Sequence, residues 1–291
     1  MQVARTITEV RAWVSQARTA GKKIGFVPTM GALHVGHVSL IEAAAAACDS
    51  VIVSIFVNPT QFGPGEDLEK YPRPLEQDLA ICREQGVHAV FAPSAAEMYP
   101  RENRTWVAVE KLTEPLCGRS RPGHFRGVTT VCTKLFNIVA PDMAFFGRKD
   151  AQQAIVIRRM VADLNMPLEI VVCPTVREPD GLAVSSRNRY LSAEERQAAP
   201  VIYRSLCRCA ELIHGGETNA ARLVEAMRGV LGRVSLFHIE YVSVLDAENL
   251  DEIEHVEGTV LAAIAGRLGS TRLIDNIVVD TTARQDIITR A

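Results

Sequence analysis

Two histidines, His34 and His37, stand three residues apart around Gly36, directly after Pro28-Thr29-Met30-Gly31-Ala32-Leu33. An apolar strand ends here in a turn punctuated by proline and glycine, and a helical stretch begins just beyond. Helix N-termini expose unpaired N–H groups and the positive end of the helix dipole, so they attract phosphate. Imidazoles placed there add donors that can carry charge and rest on phosphate oxygens while a bond to phosphorus breaks. Gly36 is expected to let a ligand reach the backbone where a Cβ would stand in the way. These residues suit a nucleotide-phosphate site built without a Walker loop. Two plainer readings fit the same spacing, because residues at i and i+3 share a helical face: zinc ligands, or half-buried polar side chains. Zinc needs further ligands, and no His/Cys cluster of suitable spacing occurs elsewhere.

Three other segments carry residues of useful chemistry. Asn58-Pro59-Thr60-Gln61 follows the apolar run Val51–Val57, and Gln61 offers both donor and acceptor for orienting a hydroxy acid, or is a polar turn residue. Phe146-Gly147-Arg148-Lys149-Asp150 repeats the strand-turn-helix pattern. Lys149 is a movable point charge suited to a triphosphate, and Asp150 could cap the helix or accept from ribose hydroxyls. Gln153 lies one turn further on. Ser185-Ser186-Arg187 brings two hydroxyls and a forked cation, either a clamp on phosphates or a plain linker. The most basic loop, Arg119–Gly127, reads on its own as solvated.

Composition narrows the class. At 291 residues, 47% hydrophobic and 23% charged, the chain is an ordinary globular protein large enough for one or two domains. A net charge of −2 argues against a general binder of nucleic acid or membrane surfaces. Residues 1–6 start no apolar signal core and no stretch approaches membrane-spanning length. The seven cysteines are scattered without a CxxC and read as reduced core residues of a cytoplasmic protein. No Walker motif, no Gly-x-Gly-x-x-Gly after the first strand and no Gly-x-Ser-x-Gly is present, which disfavours a P-loop kinase, a dinucleotide dehydrogenase and a serine hydrolase.

The elements that must hold these residues alternate. Strands are read at 24–27, 51–57, 88–91, 143–146 and 168–173, with helices at 38–48, 75–85, 128–139 and 151–164. That rhythm predicts an α/β protein with a Rossmann-like, doubly wound parallel sheet whose ligands sit at the carboxyl ends of its strands. Past about residue 175 the pattern changes. A capping box at Ser192–Glu195 opens a helix to about Ile213, a second helix spans Ala220–Leu231, and strands are read at 237–245, 260–265 and 274–279. Residues 1–175 are thus expected to form a Rossmann-like domain, and 176–291 a smaller α+β domain.

Longer blocks carry a resemblance. Val27–His34, Ser54–Phe62, Ser120–Val128, Lys149-Asp150 with Gln152-Gln153, Asp180–Ala183 with Ser185–Asn188, and Arg272-Leu273-Ile274-Asp275-Asn276 together resemble the pantoate–β-alanine ligase (pantothenate synthetase) family from end to end. The resemblance implies ATP- and Mg²⁺-dependent condensation of (R)-pantoate with β-alanine through a pantoyl adenylate, releasing AMP and pyrophosphate. It implies that Met30, Gly31, His34, Gly36 and His37 line the ATP site, with His37 the proton donor and His34 and Lys149 beside it in the chemistry. Gly147, Arg148, Lys149, Asp150, Val176, Val184, Ser185, Ser186 and Arg187 would meet the nucleotide, and Gln61 and Gln153 would hold pantoate. A cytoplasmic homodimer with a C-terminal lid, binding neither nucleic acid nor membrane, is implied as well. Val35 and Arg148 stand where the family commonly carries acidic residues, and Arg148 is expected to extend into solvent. Another nucleotidyltransferase or a non-catalytic nucleotide-binding module would share some motifs, but the second would have lost residues that are present here.

Overall fold

The computed structural model describes residues 1–282 and divides into two compact units. The first comprises Met1–Thr113, Gly118–Gly147 and Val156–Cys173; the second comprises Glu114–Cys117, Arg148–Ile155 and the described residues from Pro174 onward. Residues 283–291 of the expected C-terminal domain lie outside the described part.

In the first unit β1 (Gln2–Ala4), β2 (Ile24–Thr29), β3 (Ser50–Ile55), β4 (Ala89–Phe91), β5 (Met143–Gly147) and β6 (Glu169–Cys173) form one sheet in the order β1-β4-β3-β2-β5-β6. Every pairing is parallel. Ile24, Phe26 and Val27 of β2 and Ile52 and Val53 of β3 are fully buried, as strands covered on both faces must be. The helices of this part of the chain are α1 (Ile7–Thr19), α2 (Val35–Ala47), α3 (Leu75–Glu84), α4 (Ala95–Met98), α5 (Cys117–Ser120), α6 (His124–Val139) and α7 (Ala151–Asp163). Leu40, Ile41 and Ala44 of α2 with Leu79 and Cys82 of α3 pack against Val27, Val51 and Val53 of the sheet. From β2 the chain builds outward through β3 and β4 on one side, and from β5 through β6 on the other. The switch point therefore lies between the carboxyl ends of β2 and β5, at Thr29 and Gly147, where open α/β sheets bind their ligands.

The second unit contains α8 (Ala193–Ala198), α9 (Val201–His214) and α10 (Ala220–Leu231), followed by the antiparallel sheet β7 (Phe237–Asp246), β8 (Thr259–Leu268) and β9 (Thr271–Asp280). Its core joins Ile202, Leu206 and Cys209 of α9 to Leu223 and Met227 of α10 and to Val260, Ala262 and Ile264 of β8. The helix expected to run from Ser192 to Ile213 is two helices, because Pro200 has no N–H to continue the ladder and its ring crowds the carbonyl four residues back. The Ser192 capping box is present at the start of α8. All seven cysteines are free thiols, and burial pushes Cys132 up to about 12, so it stays a neutral core residue.

Candidate active site

The two histidines form a reciprocal cap. The α2 helix begins at Val35, three residues earlier than its apolar run suggests, with His34 as the extended N-cap. His34 Nδ1 accepts from the Gly36 N–H at 3.2 Å, and His37 Nδ1 accepts from the His34 N–H at 3.3 Å. The rings lie with centroids 4.1 Å apart. A neutral imidazole that accepts at Nδ1 carries its proton on Nε2. Both rings thus satisfy orphan backbone donors with Nδ1 and carry their proton on Nε2. The room at Gly36 also serves the cap: a Cβ there would sit 3.0 Å from His34 Cε1, so the glycine accommodates the histidine ring. Val35 is 59% exposed on the first turn, where an acidic residue would have favoured the dipole.

The loop that delivers His34 is gripped from below. Asp78 of α3, 1% exposed, accepts from the Ala32 N–H at 2.9 Å and the Leu33 N–H at 2.7 Å. Thr29 Oγ1 donates to the Ser54 carbonyl and accepts from the Gly31 N–H. Ala32 has φ 51°, a left-handed conformation that a non-glycine residue adopts only when its surroundings impose it. Asp78 received no role from the sequence, although a charge between Leu75, Leu79 and Cys82 on one helical face was the available signal.

Gln61 and Met30 are brought together. The Gln61 amide nitrogen donates to Met30 Sδ at 3.1 Å, while its Oε1 accepts from Asn58 Nδ2 at 3.1 Å. Asn58, also without a role in the sequence reading, is buried and further donates to the Gly127 carbonyl and accepts from Tyr99 Oη. Gly127 admits this contact: a Cβ would lie 2.4 Å from the Thr60 carbonyl oxygen. The basic loop is only partly solvated: Arg119 and Arg126 are exposed, while Arg121 and His124 are half-buried. Arg121 pairs with Glu66 through two nitrogens and donates to His124 Nε2, so the His124 proton sits on Nδ1 and is donated to the Gln61 carbonyl at 2.9 Å. Burial raises the Glu66 carboxyl, but the Arg121 hydrogen bond and charge outweigh it and leave the group below its ordinary value.

In the second unit Arg148, Lys149 and Asp150 form a short 3-10 turn ahead of α7. Lys149 Nζ stands 3.9 Å from Asp150 Oδ1. Arg148 is half-buried, contrary to the expected solvent position. Gln153 is half-buried on α7, whereas its neighbour Gln152 is buried and tied to the Cys117 N–H and the Pro115 carbonyl. Val176 and Val184 pair through the Val184 N–H and Val176 carbonyl at 3.0 Å. The chain then enters Ser185, which caps a 3-10 turn over Ser186–Tyr190 by accepting from the Arg187 N–H.

A model of the pantoate-beta-alanine ligase family matches residues 2–278. The chain is 54% identical to a pantothenate synthetase of Pelotomaculum thermopropionicum over 278 residues, covering 96% of this chain and 99% of that one. It is 55% identical to a pantothenate synthetase of Heliobacterium modesticaldum over 280 residues, covering 96% and 100%. Among solved structures, pantothenate synthetase from Thermus thermophilus matches with TM-score 0.92 at 45% identity, over 97% of this chain and 100% of that one. Pantoate-beta-alanine ligase from Francisella tularensis, complexed with beta-gamma ATP and beta-alanine, matches with TM-score 0.79 at 35% identity, over 98% and 100%.

Proposed function

This chain belongs to the pantoate–β-alanine ligase family, and from that premise we propose how its residues divide the work of joining pantoate to β-alanine. A carboxylate is a poor electrophile, so the acid must first exchange an oxygen for a better leaving group. A pantoate carboxylate oxygen attacks the α-phosphorus of ATP, the bond to the β-phosphate breaks, and pyrophosphate leaves. The β-alanine amine then attacks the acyl carbon of the pantoyl adenylate, AMP leaves, and the amine loses its proton.

The observation that carries this reading is the reciprocal histidine cap, which fixes both imidazoles at a helix N-terminus with Nδ1 accepting and the proton on Nε2. Donors aimed where charge develops are worth about 3–4 kcal/mol each in the transition state. We assign His34 and His37 to the phosphate oxygens and His37 to proton donation, with Met30, Gly31 and Gly36 lining the nucleotide. Lys149, Ser185, Ser186 and Arg187 are assigned to phosphate charge, and Gly147, Arg148, Asp150, Val176 and Val184 to the rest of the nucleotide. Gln61, whose amide carries a second N–H beyond the one bonded to Met30, is assigned with Gln153 to pantoate.

The residues fit a magnesium ion that arrives on the triphosphate. Mg²⁺ keeps several waters and is commonly held by one or two carboxylates plus substrate phosphates. Asp150 is an exposed carboxylate in the Lys149 turn, and the described residues contain no cluster of three or more His, Cys, Asp or Glu that would form an all-protein cage. When bound, the ion neutralises phosphate charge. We also propose a cytoplasmic homodimer, as in the family; light scattering should report the mass of two chains, and a monomer would refute it. Among the described residues no helix is long and apolar enough to cross a membrane.

Pantoate labelled with ¹⁸O in its carboxylate tests the adenylate. Label is expected in AMP. Label in inorganic phosphate, with ADP formed, would mean an acyl phosphate and would overturn the mechanism.

A further inference from the structure

Two consecutive residues of β9, Asp275 and Asn276, close the last of the sequence blocks singled out above, and no role has been given to them. Both are buried, at 3% and 6% exposure. The Asn276 amide nitrogen donates to the Arg148 carbonyl at 3.0 Å and to the Lys149 carbonyl at 2.8 Å, while Oδ1 is buried without a hydrogen-bond partner among the described residues. An amide that leaves its acceptor unsatisfied in order to use both donors is tuned to a pair of carbonyls. Aspartate would set oxygens against them, and an aliphatic residue would offer no donor.

Asp275 serves a different segment. Arg177 donates to its two oxygens at 2.6 and 3.0 Å, and also to the Gly181 and Asn276 carbonyls. The Arg177 guanidinium lies 4.0 Å over the Tyr203 ring, and Arg177 pairs with Ala183 across the bridge that leads into Ser185-Ser186-Arg187. Successive strand residues point to opposite sides, so one dipeptide can reach two loops.

We propose that Asp275 and Asn276 are positioning residues: Asn276 sets the backbone of the Lys149 turn, and Asp275, through Arg177, sets the base of the Ser185–Arg187 segment. The antiparallel sheet thereby serves as a template for two nucleotide-binding loops, an inference that rests on the phosphate roles assigned above to Lys149 and Arg187. Lysine is a flexible point charge whose effect depends on where its turn starts it. A carbonyl clamp at its own residue fixes that start without touching the ligand.

The test uses the full chain. In N276A, kcat/KM for ATP should fall by about tenfold or more, while KM for β-alanine moves less than about twofold. Because Asn276 acts through Lys149, the double variant K149A/N276A should be no worse than K149A within about threefold. Multiplying defects would overturn the proposal. A second readout is independent of catalysis: the rate at which an amine-reactive reagent labels Lys149, followed by mass spectrometry against Lys22. N276A should change the Lys149 rate at least threefold and leave Lys22 unaltered, and an unchanged Lys149 rate would refute positioning. If K149A is as active as the parent while the labelling rate still shifts, the phosphate role of Lys149 has failed and the clamp stands. Should N276A not fold, N276S, which keeps one donor, replaces it and is expected to show a smaller shift in the same direction. For Asp275, R177K keeps the charge but not the two-pronged pairing and should raise KM for ATP about fivefold or more; an unchanged KM would remove Asp275 from the proposal.

Discussion

The proposed function gives each of the paired histidines two jobs, one per nitrogen, and the jobs can be separated by substitution. Asparagine places an acceptor where Nδ1 stands and nothing where Nε2 stands; glutamine reaches toward Nε2 and leaves Nδ1 empty. H34N should therefore keep the α2 cap, since asparagine is a strong N-cap, while kcat falls about 10²-fold. H34Q should keep more of the activity and lose about 1 kcal/mol of stability in urea unfolding. Equal activity in the two variants would mean that Nε2 touches nothing of consequence. Beneath the same loop, Asp78 accepts two backbone N–H groups. In D78N the amide can accept from only one of them without turning its NH₂ toward the other, so the variant should lose about 1–3 kcal/mol of stability. Its KM for ATP should rise as the His34 loop relaxes, and a stability loss with unchanged kinetics would confine Asp78 to folding. The histidines, Gln61 and Lys149 are legible in the sequence because their chemistry is unusual beside glycine and proline. Asp78 and Asn276 are not, because they act on backbone groups, and a linear sequence does not say which backbone lies opposite a side chain.

At the level of elements, hydrophobic periodicity finds the strands from β2 onward and most helices, and it errs where polar groups set a boundary. The α2 helix starts at its histidine cap and α6 starts at His124 after left-handed Gly123, both ahead of their apolar runs. Periodicity also passes over β1 and α1, although Thr6 and Glu9 form a capping box of the kind that marks α8. The entry to β4 adds a pH-sensitive joint to this sheet. His88 exchanges backbone and side-chain bonds with Val51 of β3: its N–H donates to the Val51 carbonyl, and its Nδ1 accepts from the Val51 N–H at 3.1 Å. Desolvation, then the charges of Lys22 and the N-terminal amine, hold its pKa below 6.5. The unfolded chain therefore binds the proton more readily than the folded one. Stability should be full above about pH 6.5 and decline as pH falls through the window from there to the lower folded value. Thermal unfolding followed from pH 7.5 to 5 should show this decline. It should be weaker in H88N, whose Oδ1 accepts in place of Nδ1 without titrating, and identical slopes for the two proteins would remove His88 as a cause.

For the whole molecule, a single boundary in the chain cannot describe the two units, because Glu114–Cys117 and Arg148–Ile155 are grouped with the later residues. These short segments are tied to one another and to the antiparallel sheet. Gln152 accepts from the Cys117 N–H at 3.0 Å and donates to the Pro115 carbonyl. The Cys117 thiol lies 3.3 Å from Tyr241 Oη and 3.6 Å from an Arg272 nitrogen, and Asn276 holds the Arg148 and Lys149 carbonyls. A fragment of residues 174–291 would retain α8–α10 and all three strands, with the apolar core that joins them, yet Tyr241 and Asn276 would lose these partners. Each hydrogen bond lost with these segments costs about 0.5–1.5 kcal/mol, because the freed groups turn to water, while the apolar core is untouched. The fragment should therefore fold, but with β9 amides at Asn276 and Ile277 exchanging at least about tenfold faster than in the full chain, a loss of about 1.4 kcal/mol or more in protection. Hydrogen exchange read by mass spectrometry on peptides covering β9 measures this directly. Equal protection in fragment and full chain would show that the two inserted segments are passengers on the sheet rather than parts of the unit.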